Sequence, residues 1–349
     1  EWGFDGFVVS DWGASNDHAE GVRCGSNLEM PNPGADSAIT LVNAVRSGQL
    51  PESALDDRLR ELLKVVFDVS EAVADAPKNG DYEAHHALAT KCAAESIVLL
   101  ENDGILPLTA QKVALIGEFA EKPRYQGAGS SRVNPTKLSC LKAALAQKLP
   151  GLTYAPGGQE AVRIAREADV VLLCIGLDDV AESEGMDRST LALPQSHLAL
   201  FEAVSKVNPN VVLVLSGGSP FQLPETGFRG AIHGYLGGQA GATAMAKLLT
   251  GVANPCGKLS ETVPVCYEAV SSAPYYPGLE ATSEYREGLY VGYRYFDTAG
   301  KEVKYPFGFG LSYTSFEYSG LEIHEDCVTF RVRNTGAVSG EEIAQLYIH

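Results

Sequence analysis

Three short apolar runs, each followed by a segment with helical spacing, constrain the fold of this chain more than any other feature. The runs lie at residues 113–116, 170–175 and 211–215, and the helical segments between and beside them lie around residues 141–145, 161–168 and 196–207. Strands that alternate with helices indicate a mostly parallel sheet covered by helices on both faces. A fourth apolar run at 231–236 precedes a glycine-rich turn and another helix.

The first 75 residues repeat a strand and helix order on a smaller scale. Residues 7–9 form an apolar run typical of a strand buried on both faces, and Asn16 or Asp17 can cap a short helix after it. A strand-like segment at 26–31 and two helices follow, the second predicted to start at Ser53. A polar stretch at 74–81 then reads as a linker, and a helix is predicted from 85 to 99.

A carboxylate follows the opening strand. Residues 3–12 read Gly-Phe-Asp-Gly-Phe-Val-Val-Ser-Asp-Trp, so Asp11 lies at the carboxyl end of a predicted parallel strand, where barrel enzymes place their catalytic groups. The Trp12 indole offers an apolar face that can stack on a sugar ring. A single aspartate at such a position is more commonly a helix cap or a turn former, so residue type alone leaves both interpretations open.

Two loops after strands of the larger sheet carry further polar groups. The loop at 178–188 contains Glu182 and Glu184 and leaves the carboxyl end of a predicted parallel strand, where open α/β sheets present ligand-facing residues. Acidic loop residues are also commonly just solvated. The segment at 126–135 combines glycines, which allow close approach to a ligand, with the hydroxyls of Ser130 and Ser131. From composition, a plain flexible turn is equally compatible with that segment.

The motif at 3–12 resembles the nucleophile signature of glycoside hydrolase family 3, a family that contains many β-glucosidases. The sequence Glu-Ser-Glu-Gly-x-Asp-Arg at 182–188 is similar to the acid/base loop of that family, and the Gly-x-Gly-Ser segment at 127–130 is similar to its glycone-binding loop. The three motifs occur in the expected order. The runs at 254–259, 287–296 and 306–313 also resemble the second domain of the family.

The resemblance implies a role for each motif. Asp11 would be the nucleophile, and Glu184 the acid/base residue with Glu182 as the fallback assignment. Ser130 would reach the glycone. Further binding candidates are Trp12 as a stacking platform and, more weakly, Ser131 and Arg132. Asp187 and Arg188 are expected to form a structural pair that shapes the acid/base loop.

The resemblance also implies the domain organisation. Residues 1–75 would be the C-terminal part of a (β/α)₈ barrel, 76–84 a linker, and 85–313 an α/β sandwich domain with a mostly parallel sheet. Residues 314–349 would begin a fibronectin type III-like β-sandwich, since residues 328–333 alternate in polarity, residues 334–336 form a turn, and 342–348 reads as another strand. Both ends of the chain read as truncated, and the site would be assembled from two domains.

The function implied by the resemblance is a retaining, exo-acting β-glucosidase that acts on β-linked glucosides without a cofactor or metal. Retaining glycoside hydrolysis uses two carboxyl groups, one as nucleophile and one as proton donor. A β-xylosidase or another β-glycosidase of the same family is an open alternative. So is a non-catalytic carbohydrate-binding or structural fragment, because a partial barrel leaves apolar strand edges uncovered.

Charge and cysteine usage limit the remaining choices. The chain has 27 Lys and Arg against 44 Asp and Glu, a net charge of −17, and the acidic residues are scattered, which argues against nucleic acid and anionic membranes as partners. No apolar run approaches the roughly 18 residues of a membrane helix. The seven widely spaced cysteines suggest neither a zinc site nor a disulfide framework. This favours a reducing, cytoplasmic location, but leaves secretion and a homo-oligomeric parent open.

Overall fold

The chain folds into two units, Glu1–Gly80 and Asp81–His349. The computed structural model describes residues 3–74, 76, 80–109, 112–278, 281–282 and 284–348. The elements of the first unit are β1 (Val8–Val9), α1 (His18–Cys24), β2 (Ser26–Leu28), α2 (Ala35–Arg46) and α3 (Glu52–Ala74). The predicted order of strand and helix is therefore present, and α3 begins one residue before the predicted start.

Asn27 holds the elements of the first unit together. β1 and β2 pair in parallel, and the Asn27 side chain accepts a hydrogen bond from the backbone N–H of Val8 at 2.8 Å. The same side chain donates to the carbonyl of Arg58 at 2.8 Å and to the Glu61 carboxylate at 2.7 Å, both on α3. One amide thus fixes the strand pair against a helix, because it satisfies donors and acceptors on both. At the start of α1, Asp17 is the N-cap and accepts from the N–H of Glu20 at 2.9 Å.

The expected burial of the opening strand is wrong for this chain. Val8 and Val9 are 47% and 44% exposed, where a strand covered on both faces was predicted. A parallel strand is buried only when strands or helices cover it on every side, and among the described residues β1 pairs with β2 alone. The apolar composition of this run fits a strand that is covered on both faces, but the described elements cover β1 only in part.

The second unit is built on a six-stranded sheet, counted over its described residues. The strand order is β3-β8-β7-β6-β4-β5, and every neighbouring pair is parallel except β3 and β8. Its elements through α8 are α4 (Tyr82–Ser96), β3 (Val98–Asn102), β4 (Val113–Ile116), α5 (Leu141–Ala146), β5 (Leu152–Ala155), α6 (Gly158–Glu167), β6 (Val170–Gly176), α7 (Gln195–Ser205), β7 (Val211–Ser216), β8 (Gly230–His233) and α8 (Gly241–Leu249). This confirms the predicted α/β class with a mostly parallel sheet.

The sheet is buried on both faces, as the continuous apolar runs predict. Along β6, Val171, Leu173 and Ile175 join one core cluster, which includes residues of α6 and α7. The alternate residues Val170, Leu172 and Cys174 join the opposite cluster, which includes residues of α5 and α8. Because successive strand residues point to opposite faces, this split requires helices on both sides of the sheet.

Two strand pairs and one α-helix follow α8 among the described residues of the second unit. They are β9 (Val263–Pro264), α9 (Tyr293–Thr298), β10 (Val303–Tyr305), β11 (Phe316–Ile323) and β12 (Val328–Asn334). β10 pairs with β9, and β11 pairs with β12, both antiparallel. The predicted strand at 328–333 is present as β12, but residues 342–348 form no strand, and the described partner of β12 is β11.

Two boundaries differ from the sequence-based prediction. The helix predicted over 85–99 is α4, which ends at Ser96, and Val98–Asn102 form β3 instead. A short apolar run such as 97–100 has no periodicity that separates a buried strand from a buried helix, and pairing with β8 decides for the strand. The predicted linker at 76–84 overlaps the first turn of α4, which Asp81 caps. Residues 75 and 77–79 lie outside the described residues.

Within the described ranges, no helix has the length and apolar character needed to cross a membrane. The seven cysteines, all of them described, have free thiols. Cys174 is buried in the sheet, whereas Cys92 is exposed on α4.

Candidate active site

Three neighbouring parallel strands send their following loops to one edge of the large sheet. β4, β6 and β7 are adjacent and parallel, so the segments that begin at Gly117, Leu177 and Gly217 start at the same edge. Gly117 has φ +109°, and a Cβ there would lie 2.2 Å from the Cys174 carbonyl oxygen. Only glycine allows the first of these loops to leave the sheet so close to β6.

Glu184 and Ser130 meet at this edge. The Ser130 hydroxyl donates a hydrogen bond to the Glu184 carboxylate, and the Ser130 backbone N–H lies 3.3 Å from the same oxygen. Gly129, with φ +78°, brings the backbone against the acid: a Cβ at this position would lie 3.2 Å from Glu184 Cβ. Both residues are exposed. Two residues predicted from separate motifs therefore form one accessible carboxylate with a hydroxyl donor.

Ser131 and Arg132 do not contact Glu184 in any described interaction. The Ser131 hydroxyl donates to the Ala128 carbonyl at 3.2 Å, which closes the tight turn of its own loop. The exposed guanidinium of Arg132 binds the Asp179 carboxylate at 3.0 Å. Arg132 thus links residues 126–135, called the glycine-rich loop below, to residues 178–188, called the acidic loop. It does not bind the Glu184 carboxylate.

The carboxylate of Glu182, the fallback acid/base candidate, accepts hydrogen bonds from backbone and side-chain donors. Its side chain is 9% exposed. The backbone N–H of Gly218 lies 2.9 Å from both carboxylate oxygens, and the Ser219 hydroxyl donates to one of them at 2.6 Å. A buried carboxylate with this many donors is a structural anchor that joins the loops after β6 and β7.

The expected ion pair between Asp187 and Arg188 is wrong. Arg188 donates to the Ser219 hydroxyl at 2.7 Å and to the Pro220 carbonyl at 2.9 Å, while Asp187 accepts a hydrogen bond from the Tyr276 hydroxyl. Burial lowers the pKa of the Arg188 guanidinium. Consecutive loop residues point in different directions. Arg188 therefore binds the segment after β7, and Asp187 binds the segment after β9.

The sequence analysis missed Arg124, which lies between these loops. Its side chain is 4% exposed, and it is within ion-pair distance of Asp179 and Glu182. No local pattern around Pro123-Arg124-Tyr125 indicates a buried cation. The one signal in the sequence was the group of acidic residues at 178–184, since a carboxylate that becomes buried, as Glu182 does, is paired with a cation or with hydrogen-bond donors.

Asp11 and Trp12 are exposed just after β1 in the first unit. Asp11 Oδ1 accepts a hydrogen bond from the backbone N–H of Trp12 at 2.6 Å, and the Gly13 N–H donates to the Met30 carbonyl at 2.9 Å. The Ser10 hydroxyl accepts from the Met30 N–H at 2.9 Å. The segment is thereby fixed beside the end of β2, and the 68% exposed indole of Trp12 is free to receive a flat ligand.

Glu261 is a half-buried carboxyl near the acidic loop, and it should make stability depend on pH. Burial, and next the negative charge of Glu182, raise the pKa of Glu261 from 4.5 to about 7. Between those values the folded state binds more protons than the unfolded state, so the free energy of unfolding falls as pH rises. We expect Glu261→Gln to match the wild type near pH 4.5 and to exceed it by ~1–3 kcal/mol at pH 8.

Urea unfolding of both proteins at several pH values between 4.5 and 8 measures this difference. Glu225→Gln, at an exposed position, is the matched control and should follow the wild type at every pH. A constant difference between Glu261→Gln and the wild type across this range would contradict the prediction.

No group of three or more His, Cys, Asp or Glu side chains in the described part of the chain is arranged to hold a metal ion. The exposed groups described above are the Asp11 carboxylate and the Trp12 indole in the first unit, and the Glu184 carboxylate and the Ser130 hydroxyl in the second. An accessible carboxylate can donate or accept a proton, or attack an electrophilic carbon.

Known proteins resemble this chain in sequence and in fold. Residues 97–313 match the family model described as the glycosyl hydrolase family 3 C-terminal domain. The chain is 43% identical to thermostable beta-glucosidase B of Acetivibrio thermocellus, over 100% of this chain and 49% of that protein. It is 40% identical to an exo-alpha-(1->6)-L-arabinopyranosidase of Bifidobacterium longum, over 100% of this chain and 50% of that protein.

Among solved structures, the crystal structure of the Bifidobacterium adolescentis GH3 beta-glucosidase matches with a TM-score of 0.89 and 40% identity. The match covers 96% of this chain and 52% of that one. The chain thus spans about half the length of the relatives it matches.

Proposed function

Because the chain belongs to glycoside hydrolase family 3, we propose that it carries catalytic residues of a retaining, exo-acting β-glucosidase. The enzyme would remove terminal non-reducing β-D-glucosyl residues without a cofactor. The observation that carries the proposal is the exposed Glu184 carboxylate with its Ser130 donor, which lies within the segment that matches the family model. A carboxyl group that must exchange a proton with substrate and then with water needs this accessibility.

The proposed reaction has two displacements. In the first, an Asp11 oxygen forms a bond to the anomeric carbon, the bond to the aglycone oxygen breaks, and Glu184 gives its proton to that oxygen. In the second, water attacks the anomeric carbon, Glu184 takes a proton from the water, and the bond to Asp11 breaks. The products are glucose and the free aglycone alcohol, and both carboxyl groups return to their initial protonation states.

The proposal extends to binding residues and domains. Exposure of the Trp12 indole supports a role as a stacking surface for a sugar ring. Ser130 would bind the glycone in addition to Glu184, with Ser131 and Arg132 as weaker binding candidates. The pairing of β1 and β2 supports residues 1–75 as the last part of a (β/α)₈ barrel. The β11 and β12 hairpin supports a fibronectin type III-like start at residues 314–349.

A second glycone specificity is supported by one of the relatives. The Bifidobacterium longum protein, 40% identical to this chain, is named as an exo-alpha-(1->6)-L-arabinopyranosidase. The substrates to compare are therefore aryl β-D-glucosides, β-D-xylosides and α-L-arabinopyranosides. We expect the highest kcat/KM for the glucoside.

Trapping of the covalent intermediate tests the proposal. The natural protein that contains this chain is incubated with an activated 2-deoxy-2-fluoro-β-glucoside, digested, and mapped by mass spectrometry. We expect one adduct, on the peptide that contains Asp11, and no adduct in an Asp11→Asn variant. A label on another residue would reject the nucleophile assignment. No turnover of any of the three glycosides would favour a non-catalytic carbohydrate-binding or structural role.

A further inference from the structure

Arg124 connects two loops of the candidate site from a buried position. It lies in the loop after β4 and before the glycine-rich segment, and Nη1 donates to the Gln126 carbonyl of its own loop. Nη1 is also 3.1 Å from Asp179 Oδ1, and Nη2 is 3.5 Å from Glu182 Oε2, both in the loop after β6. One guanidinium therefore contacts the loop that carries Ser130 and the loop that carries Glu184.

The Arg124 side chain is 4% exposed, so nearby carboxylates must offset the free-energy cost of burying its charge. An arginine remains protonated in proteins, and burial of a cation is costly unless carboxylates compensate for the lost water. The Nε and Nη2 atoms of Arg124 have no hydrogen-bond partner, so the compensation comes mainly from the charges of Asp179 and Glu182. Movement of the acidic loop would leave the guanidinium uncompensated.

Glu182 transmits this constraint to the acid/base candidate. It stands two positions before Glu184, and its carboxylate also accepts hydrogen bonds from the Gly218 N–H and the Ser219 hydroxyl of the loop after β7. A second carboxyl, Glu261, is close enough to feel the charge of Glu182. Without Arg124, Glu182 would face the Glu261 carboxyl without the guanidinium beside it, and the acidic loop would keep only its links to Arg132, Gly218 and Ser219 at this end.

We infer that Arg124 is a positioning residue that fixes Glu184 against Ser130 by holding Glu182 and Asp179. The inference rests on the proposed role of Glu184 as proton donor. Arg124 touches neither carboxyl oxygen of Glu184 in the described contacts, so it acts through its two partners. Displacement of a reacting group by about 1 Å costs on the order of 10²-fold in rate, which sets the size of the expected effect.

The test uses Arg124→Met and Arg124→Lys in the natural protein that contains this chain. Arg124→Met should lower kcat about 10²-fold on a substrate with a poor leaving group, such as cellobiose, with little change in KM. On a dinitrophenyl β-glucoside, whose leaving group departs without a proton donor, kcat/KM reports the first displacement and should fall less than about 5-fold. Arg124→Lys keeps the charge and should recover most of the rate. Equal losses on both substrates would overturn the inference.

A double variant separates positioning from general damage to the fold. Glu182→Gln with Arg124→Met removes both buried charges, so it avoids the uncompensated carboxylate of the single variant. If Arg124 acts through Glu182, the double variant should be no slower than Arg124→Met alone. A multiplied loss would contradict the inference. Arg163→Gln on α6, an exposed arginine paired with Glu160 and Glu167, is the matched control and should resemble the wild type.

Amide hydrogen exchange gives a reading that does not depend on activity. In Arg124→Met, peptides from residues 178–188 should exchange at least about 10-fold faster, while peptides from β6 and β7 remain as protected as in the wild type. Unchanged exchange in the acidic loop would refute the inference whatever the rates are. Failure of the wild type to turn over substrate would instead refute the proposed function, and the exchange result would still stand.

Discussion

Asp11→Ala is expected to lower kcat/KM on aryl β-glucosides by at least ~10⁴-fold, the size typical for loss of a catalytic nucleophile. Without the carboxylate no glycosyl-enzyme forms, because the backbone and Trp12 offer no other nucleophile there. Azide should restore activity by attacking from the vacated side of the sugar, and its product should be the α-glucosyl azide. Steady-state kinetics and the stereochemistry of the azide product measure both effects.

Asp56→Asn is the control for this variant, since Asp56 is an exposed carboxylate in the same unit, 3.7 Å from Arg60. It should keep wild-type kinetics. Retention of more than about a hundredth of the wild-type rate by Asp11→Ala, with no response to azide, would mean that another group attacks the anomeric carbon.

Glu184→Ala is the second large effect, and its signature is dependence on the leaving group. On cellobiose, where departure of the sugar alcohol needs a proton, the rate should fall about 10²–10⁴-fold. On a dinitrophenyl glucoside the first step should be nearly unaffected, and the glycosyl-enzyme should accumulate because no base activates water. Azide should then react with this intermediate and give the β-glucosyl azide, the opposite anomer from the Asp11 variant.

Glu202→Gln, at an exposed position on α7, is the matched control for Glu184→Ala. The same test decides between the two carboxyl groups of the acidic loop. If Glu182→Gln, and not Glu184→Ala, shows the leaving-group signature and the β-azide product, the fallback assignment is the correct one. The buried position of Glu182 and its bonds to Gly218 and Ser219 lead us to expect a loss that is similar on both substrates.

The central strands of the large sheet were predictable because their burial is complete. β4, β6 and β7 have apolar residues at every position that faces a core, and such runs leave few alternatives. β5 was missed, because Leu152–Ala155 includes polar and half-buried residues at the sheet edge. β3 was taken as helix, since its identity depends on pairing with β8, which is distant in sequence.

The candidate site was predictable only where a residue belongs to a recognisable motif. Glu184 and Ser130 each came from a short pattern, and their contact follows from the neighbouring positions of β4 and β6. Arg124 came from no pattern, because its partners belong to another loop and its burial is a property of the fold. The same holds for Glu261, whose raised pKa depends on how its segment packs near Glu182.

The position of β6 inside the sheet has a consequence for heat inactivation. β6 has a parallel neighbour on each side and is buried on both faces, so it belongs to the part of a domain that opens last. The loop that carries Glu184 is attached to this strand. The strand that anchors this loop should therefore stay paired until the whole α/β unit melts, and any loosening of the loop below that temperature should be local and reversible.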